Sequence, residues 1–300
     1  MEEDYQVNVN EPKNVTPALN WKNYGNLVAF ILNCFFTFGI GTFGLFGLPN
    51  NTELSEKYQT IITPKGTAFS IWGIIFLSQG VFTVLQMLPS FRGVPLVQKG
   101  VSFWYIITCL TQVSWTIAFA FEINELALFF ILCIWLSLMA LVIAQYYVEI
   151  DPETSKCFSS KGLSDFWLLK FPFSIHGGWL TAASALNVCV ITVDYKASAA
   201  TQLAVANICL AVLHAFSVWH LFGYKRPNYT IPGVLIWANG WIYGELQEPK
   251  QLIHDTFDQS VIDGVAYSAL SVAIIIAIQI VVRVGFFTVN YVKGTSSLQQ

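Results

Sequence analysis

Long apolar runs separated by short polar stretches dominate the chain. A helix that crosses a bilayer needs roughly 20 mainly apolar residues, and the runs predict eight such helices. We place them at 25 to 48, 67 to 88, 101 to 122, 126 to 148, 167 to 192, 199 to 222, 231 to 246 and 261 to 284. No stretch reads as a strand. The pattern therefore predicts an all-α integral membrane protein.

The composition supports this interpretation and argues against one class of binding partner. Apolar residues make up 55% of the 300 residues and charged residues only 11%, whereas a soluble domain is about 25% charged. The formal net charge is −3 and no basic block is present, which argues against a nucleic-acid partner. Five of the six cysteines lie in apolar runs, so we interpret them as packing residues and not as a disulfide framework.

The lysines and arginines are distributed unevenly between the two sides of the predicted bundle. With eight spans both termini share one side, and eleven of the fifteen basic residues fall there, against Lys57, Lys65, Lys196 and Lys250 on the other side. Basic loops are retained in the cytosol. The bias therefore predicts cytosolic tails at 1–23 and 286–300, and it places the loop at 49–66 on the opposite side. It does not identify the membrane.

Aromatic, amide and small residues recur at spacings of three and four on predicted helices two to five, which places each set on one helix face. These candidate ligand-binding residues are Phe69, Trp72, Phe76, Gly80, Gln112, Trp115, Phe119, Trp135, His176, Trp179, Ala183, Leu186 and Asn187. Uncompensated polar groups in hydrocarbon cost several kcal/mol, so these faces should point inward. Simple helix packing through amides and small residues is one interpretation. A ligand cavity, which the aromatic content favours, is the other.

Three of these stretches resemble one family. The segment TPKGTAFSIWGIIFLSQG carries Phe69, Trp72, Phe76 and Gly80, and QVSWTIAF carries Gln112, Trp115 and Phe119. The segment FPFSIHGGWLTAASALN gives Trp179, Ala183, Leu186 and Asn187. In this order they resemble helices two, three and five of the tryptophan-rich sensory protein and translocator protein family (TspO/MBR). The segment IPGVLIWANGWIYGEL is similar to part of the long, eight-helix members.

The resemblance implies a TspO-like five-helix transmembrane domain at 24–195, followed by three further helices at 196–285. It also implies a central cavity that binds porphyrin, haem or a sterol-like lipid and that is closed by the loop at about 49–66. The expected partners are membrane lipid and a hydrophobic ligand, with a homodimer left open. No cofactor is required on this interpretation, although a porphyrin or haem ligand is compatible with it.

The sequence leaves three functional hypotheses: a non-enzymatic binder or sensor, a transporter, and a porphyrin-degrading enzyme. We rank binding first because the motifs do not recur in two related halves, as transporters favour, and because known catalytic motifs are absent. His176 is a candidate haem ligand, although buried histidines more often serve packing. No metal site is predicted. Glu122 and Asp263 are either proton-coupling groups or interfacial residues near span ends.

Overall fold

A computed structural model describes residues 17–151 and 162–296, with side chains up to residue 286. Within these ranges the protein is helical and contains no strand, which confirms the predicted fold class. The eight long helices are α1 (Trp21–Gly39), α2 (Ile71–Leu85), α3 (Trp104–Ala120), α4 (Asn124–Ile150), α5 (Phe171–Asp194), α6 (Ala199–Phe222), α7 (Thr230–Leu246) and α8 (Gln259–Ser296). Short helices at Asn51–Lys57 and Gln251–Thr256 lie between them.

Helix α1 buries polar side chains and exposes apolar ones, which is the reverse of the pattern in a soluble protein. Its buried side chains include Asn23, Asn26 and Asn33, which are at most 1% exposed, while Ile31 and Phe35 are each 56% exposed. Apolar residues on the outside are stable only against lipid, and polar residues on the inside hydrogen-bond between helices. The structure therefore has the exposure pattern of a membrane protein.

Five helical segments are long and apolar enough to cross a membrane, namely Gly66–Leu85, Asn124–Ile150, Gly162–Asp194, Ala199–Phe222 and Gln259–Phe286. The apolar helix α3 is shorter. Helix α1 is not in this set because its buried asparagines lower its hydropathy, and α7 has only 17 residues. Length and composition thus support membrane insertion, while the number of spans stays a prediction.

The predicted boundaries fail most at the two terminal helices, since α8 runs to Ser296 and not to 284, and α1 is shorter at its end than predicted. We predicted a helix from 25 to 48, but α1 ends at Gly39. Gly44 and Gly47 adopt positive φ angles of 61° and 74°, which are readily accessible to glycine and break the helix. Helices two and five also begin irregularly, with a 3₁₀ segment at Gly66–Ser70 and a π-helical segment at Phe166–Lys170.

The last three helices pack against the first five. Gly178 in α5 lies so close to α7 that an added Cβ would be 2.8 Å from the Cβ of Val234. The indole nitrogen of Trp237 in α7 donates a hydrogen bond to the carbonyl oxygen of Ala68, at 3.1 Å. The backbone N–H of Lys65 donates to the carbonyl of Trp241, also at 3.1 Å. Helix α7 is therefore held both to α5 and to the segment that precedes α2.

The described cysteines are free thiols, as the sequence predicted. The closest pair, Cys189 in α5 and Cys209 in α6, has its two sulfur atoms 3.8 Å apart, too far for a bond. Cys157 lies outside the described residues. Among the described residues no group of histidine, cysteine and carboxylate side chains is arranged to hold a metal ion.

Candidate functional site

A cavity of about 490 Å³ lies inside the bundle. Ligand pockets commonly measure roughly 300–1,000 Å³, so its size suits a small molecule. Helices α1 to α5 supply the deeper walls, and the segment between α1 and α2 covers one end. The end of α7 also reaches the wall, through Glu245, and Lys250 follows just beyond it. The cavity is therefore built from the first five long helices together with the end of α7.

Aromatic rings form the wall on the side of α2 and α5. The ring of Trp179 lies 5.5 Å from that of Phe69 and 6.4 Å from that of Trp72, in both cases nearly perpendicular. Trp72 also contacts Phe76, at 5.8 Å between centroids. The two edge-to-face pairs that Trp179 forms are of a type that adds about 0.5–1.5 kcal/mol beyond simple burial. The aromatic wall is thus held in a defined arrangement before any ligand is present.

A polar strip from α3 and α5 interrupts the apolar wall. The indole nitrogen of Trp115 donates to Oδ1 of Asn187 at 3.3 Å, and the Trp115 ring stacks on Phe119. Oε1 of Gln112 accepts a hydrogen bond from Asn33 at 3.1 Å. Among the described residues, Nε2 of Gln112 and Nε1 of Trp179 have no hydrogen-bond partner although both atoms are buried. An unpaired buried donor costs about 1–3 kcal/mol.

The structure brings ten of the thirteen predicted site residues to this one cavity. They lie on α3, on α5 and on the 3₁₀ segment and first turns of α2, and they are Phe69, Trp72, Phe76, Gln112, Trp115, Phe119, Trp179, Ala183, Leu186 and Asn187. The helical spacing of these residues therefore identified inward faces correctly. Whether these residues bind a ligand stays a prediction.

Two predicted residues lie elsewhere. The indole nitrogen of Trp135 donates to Oγ1 of Thr181 at 3.0 Å, and its ring packs on Phe216 of α6. Trp135 therefore joins α4 to α5 and α6 and does not line the cavity. Gly80 faces α1, where an added Cβ would be 3.4 Å from the Phe30 ring, so it serves helix packing.

His176 is also placed differently from the prediction. Its side chain is fully buried behind the aromatic wall, with its ring 5.5 Å from that of Trp72. Nε2 of Gln79 donates to Nδ1 of His176 at 2.9 Å and to the carbonyl of Pro172 at 3.3 Å, while Oε1 of Gln79 accepts from Tyr105. His176 does not line the cavity. The hydrogen bond from Gln79 therefore favours the packing interpretation of His176.

The loop predicted to close the cavity does cover one end of it. Residues of this segment in the wall include Thr52, Ser55, Tyr58, Gln59, Thr63 and Pro64. A capping box begins its short helix, because Asn50 accepts hydrogen bonds from the backbone of Thr52 and Glu53 while Glu53 accepts one from the backbone of Asn50. This local structure gives the cover a fixed shape.

An ion pair at the end of the short helix Asn51–Lys57 ties this cover to the α3–α4 turn. Lys57 pairs with Glu122, and the hydroxyl of Tyr58 donates to the same carboxylate at 2.6 Å. The hydrogen bonds from Lys57 and Tyr58 lower the pKa of Glu122. The pKa of Lys57 is raised by its hydrogen bond to Glu122, and the pKa of Tyr58 is raised by burial and then by Glu122. Glu122 thus has a structural role, because it holds the α1–α2 segment to the α3–α4 turn.

The sequence analysis missed the polar residues that complete the cavity mouth. Gln59 and Glu245 are 186 positions apart, yet Nε2 of Gln59 donates to Oε1 of Glu245 at 2.8 Å and both residues line the cavity. Lys250 pairs with Glu56 at 3.1 Å, and these two residues also belong to the wall. The sequence does contain a signal for this site, because Glu245 is a charged residue inside an apolar run, but our prediction did not include it. Asp263 is exposed and accepts a hydrogen bond from Gln259.

The inverted exposure pattern and the aromatic cavity define an all-helical integral membrane protein with space for a small molecule inside its bundle. The family model described as TSPO-like protein matches residues 23–282. The chain therefore belongs to the TspO/MBR family, as the sequence resemblance indicated. The match extends from α1 into α8 and is not confined to the five-helix unit. Neither the curated proteins nor the solved structures give a match.

Proposed function

We propose that this protein binds an apolar small molecule, a tetrapyrrole or a sterol-like lipid, in the cavity between α1 and α5. The observation that carries the proposal is the convergence of aromatic side chains from α2, α3 and α5 on a single cavity of about 490 Å³. Large ring surfaces with a few polar groups are the usual lining of ligand sites. The ring system of a ligand can make stacked or edge-to-face contacts with the same side chains.

Two buried donors in the cavity wall support the same proposal. Nε2 of Gln112 and Nε1 of Trp179 lack partners among the described residues. A ligand acceptor that reached either N–H would remove the cost of leaving that donor unpaired. The lining favours a mainly apolar ligand, and an acceptor on that ligand would gain such a hydrogen bond only if a wall side chain turned its N–H toward the cavity.

The cover formed by the α1–α2 segment suits a binder or sensor that encloses its ligand. We do not extend the proposal to transport or to porphyrin breakdown, because the described residues offer no feature specific to either activity. We also propose that both termini are cytosolic, on the distribution of basic residues. The cavity mouth then opens toward the opposite side of the membrane.

A fluorescence titration with a porphyrin in detergent or nanodiscs tests the binding proposal. Porphyrin in the cavity should quench tryptophan emission, and Trp179→Ala should weaken binding by about 1–3 kcal/mol, the scale for removing a large buried anchor. The matched control is Trp135→Ala, which removes a tryptophan that packs away from the cavity. The same titration with a sterol as competitor compares the two ligand classes.

The variants separate a binding site from a packing cluster. We expect Trp135→Ala to lower thermal stability but to leave the affinity of the folded protein near the wild-type value. Equal affinities for wild type and Trp179→Ala would contradict the proposal. So would a titration with no saturable binding by either ligand class.

A further inference from the structure

The three C-terminal helices contribute one carboxylate to the cavity mouth. Glu245, in the last turns of α7, is only 7% exposed and lines the cavity. Its Oε1 accepts from Nε2 of Gln59, and no described residue donates to its Oε2. Charged side chains inside membrane proteins are costly and commonly serve function. A carboxylate oxygen without a donor is therefore an unused binding group in the wall.

Of the basic residues near the mouth, Lys57 and Lys250 are paired with other carboxylates, and Lys65 does not line the cavity. Lys250 pairs with Glu56 and Lys57 pairs with Glu122, so neither lysine is bound to Glu245. Glu56, Glu245 and Lys250 are the charged residues that line the cavity among those described. The mouth therefore carries a net negative charge that its own side chains leave uncompensated.

Gln59 holds the carboxylate of Glu245 in place at the mouth. Because a carboxylate can only accept, the Gln59 amide must turn its nitrogen toward Glu245, and this orientation fixes Oε1 as its free acceptor. Gln59 is 3% exposed, and its Oε1 has no partner among the described residues. Because Oε1 of Gln59 is buried, the acceptor at the mouth that a ligand can reach is Oε2 of Glu245, which Gln59 holds in place through the other carboxylate oxygen.

We propose that Glu245, supported by Gln59, selects ligands whose apolar body ends in a cationic hydrogen-bond donor, such as a protonated amine. A charge-assisted hydrogen bond to the free carboxylate oxygen is the strongest interaction that the mouth can offer. A ligand that ends in a free carboxylate would meet like charge there and bind less well. This inference rests on the proposed function, because it assumes that the cavity holds the apolar body.

Three probes that share one ring system test the proposal. They are a porphyrin dicarboxylate, its dimethyl ester, and its bis(aminoethyl) amide, which carries two protonated amines. With the full chain in nanodiscs near neutral pH, we expect the amine probe to bind tightest and the dicarboxylate weakest. Removing the partner of a charge-assisted hydrogen bond should cost the amine probe about tenfold or more in affinity in Glu245→Gln. The ester should change by less than about twofold, because it offers no donor.

The substitutions also separate selection from a structural tether. The substituted glutamine keeps an amide oxygen that can accept from Gln59, so Glu245→Gln removes the charge while the link to the loop can persist. A group that served only as a tether would leave all three probes unchanged in Glu245→Gln and would weaken them equally in Glu245→Ala. The control is Glu248→Gln, at an exposed position close by that does not line the cavity.

Failure of this inference is distinguishable from failure of the proposed function. If all probes bind the wild type and Trp179→Ala weakens them, but the affinity for the amine probe is the same in Glu245→Gln as in the wild type, the cavity site stands and the selection is wrong. The selection is equally wrong if the dicarboxylate binds the wild type as tightly as the amine probe does. If no probe binds the wild type, the selection is wrong, and the proposed function is overturned as well if a sterol also fails to bind.

Discussion

Ala183 offers the sharpest test of which face of α5 lines the cavity. It lies one turn beyond Trp179 and belongs to the wall. The adjacent Ala182 packs against the hydrophobic core, as Ala183 also does, but it is not part of the wall. Leucine at either position adds the same three carbon atoms, so the two variants are matched in chemistry. The two side chains differ only in the direction in which they leave the helix, by about 100° around its axis.

The expected effects follow from where the added carbons go. At Ala183 they enter the space of about 490 Å³ that the ligand would occupy. Each displaced methylene contact is worth about 0.8 kcal/mol, so three correspond to about 2.4 kcal/mol, or roughly 50-fold in affinity. At Ala182, which is partly buried against the hydrophobic core, they press on packed neighbours on one side, and overpacking costs up to about 1–3 kcal/mol of stability. Ala183→Leu should therefore lose affinity with little change in melting temperature, and Ala182→Leu should do the reverse.

The assay is a porphyrin or sterol titration together with thermal unfolding of both variants in the same nanodiscs. Affinity is compared only below the melting temperature of the less stable variant. Equal losses of affinity at the two positions would refute the assignment of this face of α5. An unchanged affinity in Ala183→Leu would place the ligand outside the cavity.

Three further predictions concern stability, pH and topology. Trp179→Phe removes an unpartnered buried N–H and should keep the wild-type melting temperature, whereas Trp179→Ala should lose about 3–5 kcal/mol of unfolding free energy; a large loss in both would contradict this. Because the pKa of Glu122 is lowered, its pairing with Lys57 should stabilise the loop above the ordinary glutamate pKa of 4.5 and weaken as the pH falls through the lowered value. Hydrogen exchange in residues 51–57 should therefore be faster in Glu122→Gln than in the wild type near pH 7, and the difference should shrink as the pH falls below 4.5; equal protection near pH 7 would refute the role of the pair. Reporter tags should place both termini in the cytosol, and tags on opposite sides would remove the eight-span arrangement.

The sequence predicted the helices and most of the cavity wall because both depend on local periodicity. Residues three or four apart share a face, so the spacing that joins Trp179 to Ala183 could be read without a structure. The same spacing failed for Trp135, since an inward face of α4 can meet α6 instead of the cavity. Periodicity finds the buried side of a helix but does not say which neighbour covers it.

The mouth of the cavity could not be predicted in this way. The contact between Gln59 and Glu245 depends on how α7 packs against the α1–α2 segment, which local pattern does not encode. The error at His176 is the opposite one, because this residue was predicted to line the cavity and does not. It precedes Trp179 on the same helix face, yet its ring lies behind Trp72. Small differences in direction along one face decide whether a side chain reaches the cavity or the space between two helices.

The central claim is that the cavity holds an apolar small molecule, and native mass spectrometry tests it most directly. Wild type, Ala183→Leu and Ala182→Leu are each incubated with a porphyrin and, separately, with a sterol, and are then released from detergent. We expect a one-to-one adduct with at least one ligand in the wild type, preserved in Ala182→Leu and depleted in Ala183→Leu. Absence of any adduct in the wild type, or equal adducts in all three proteins, would contradict the account.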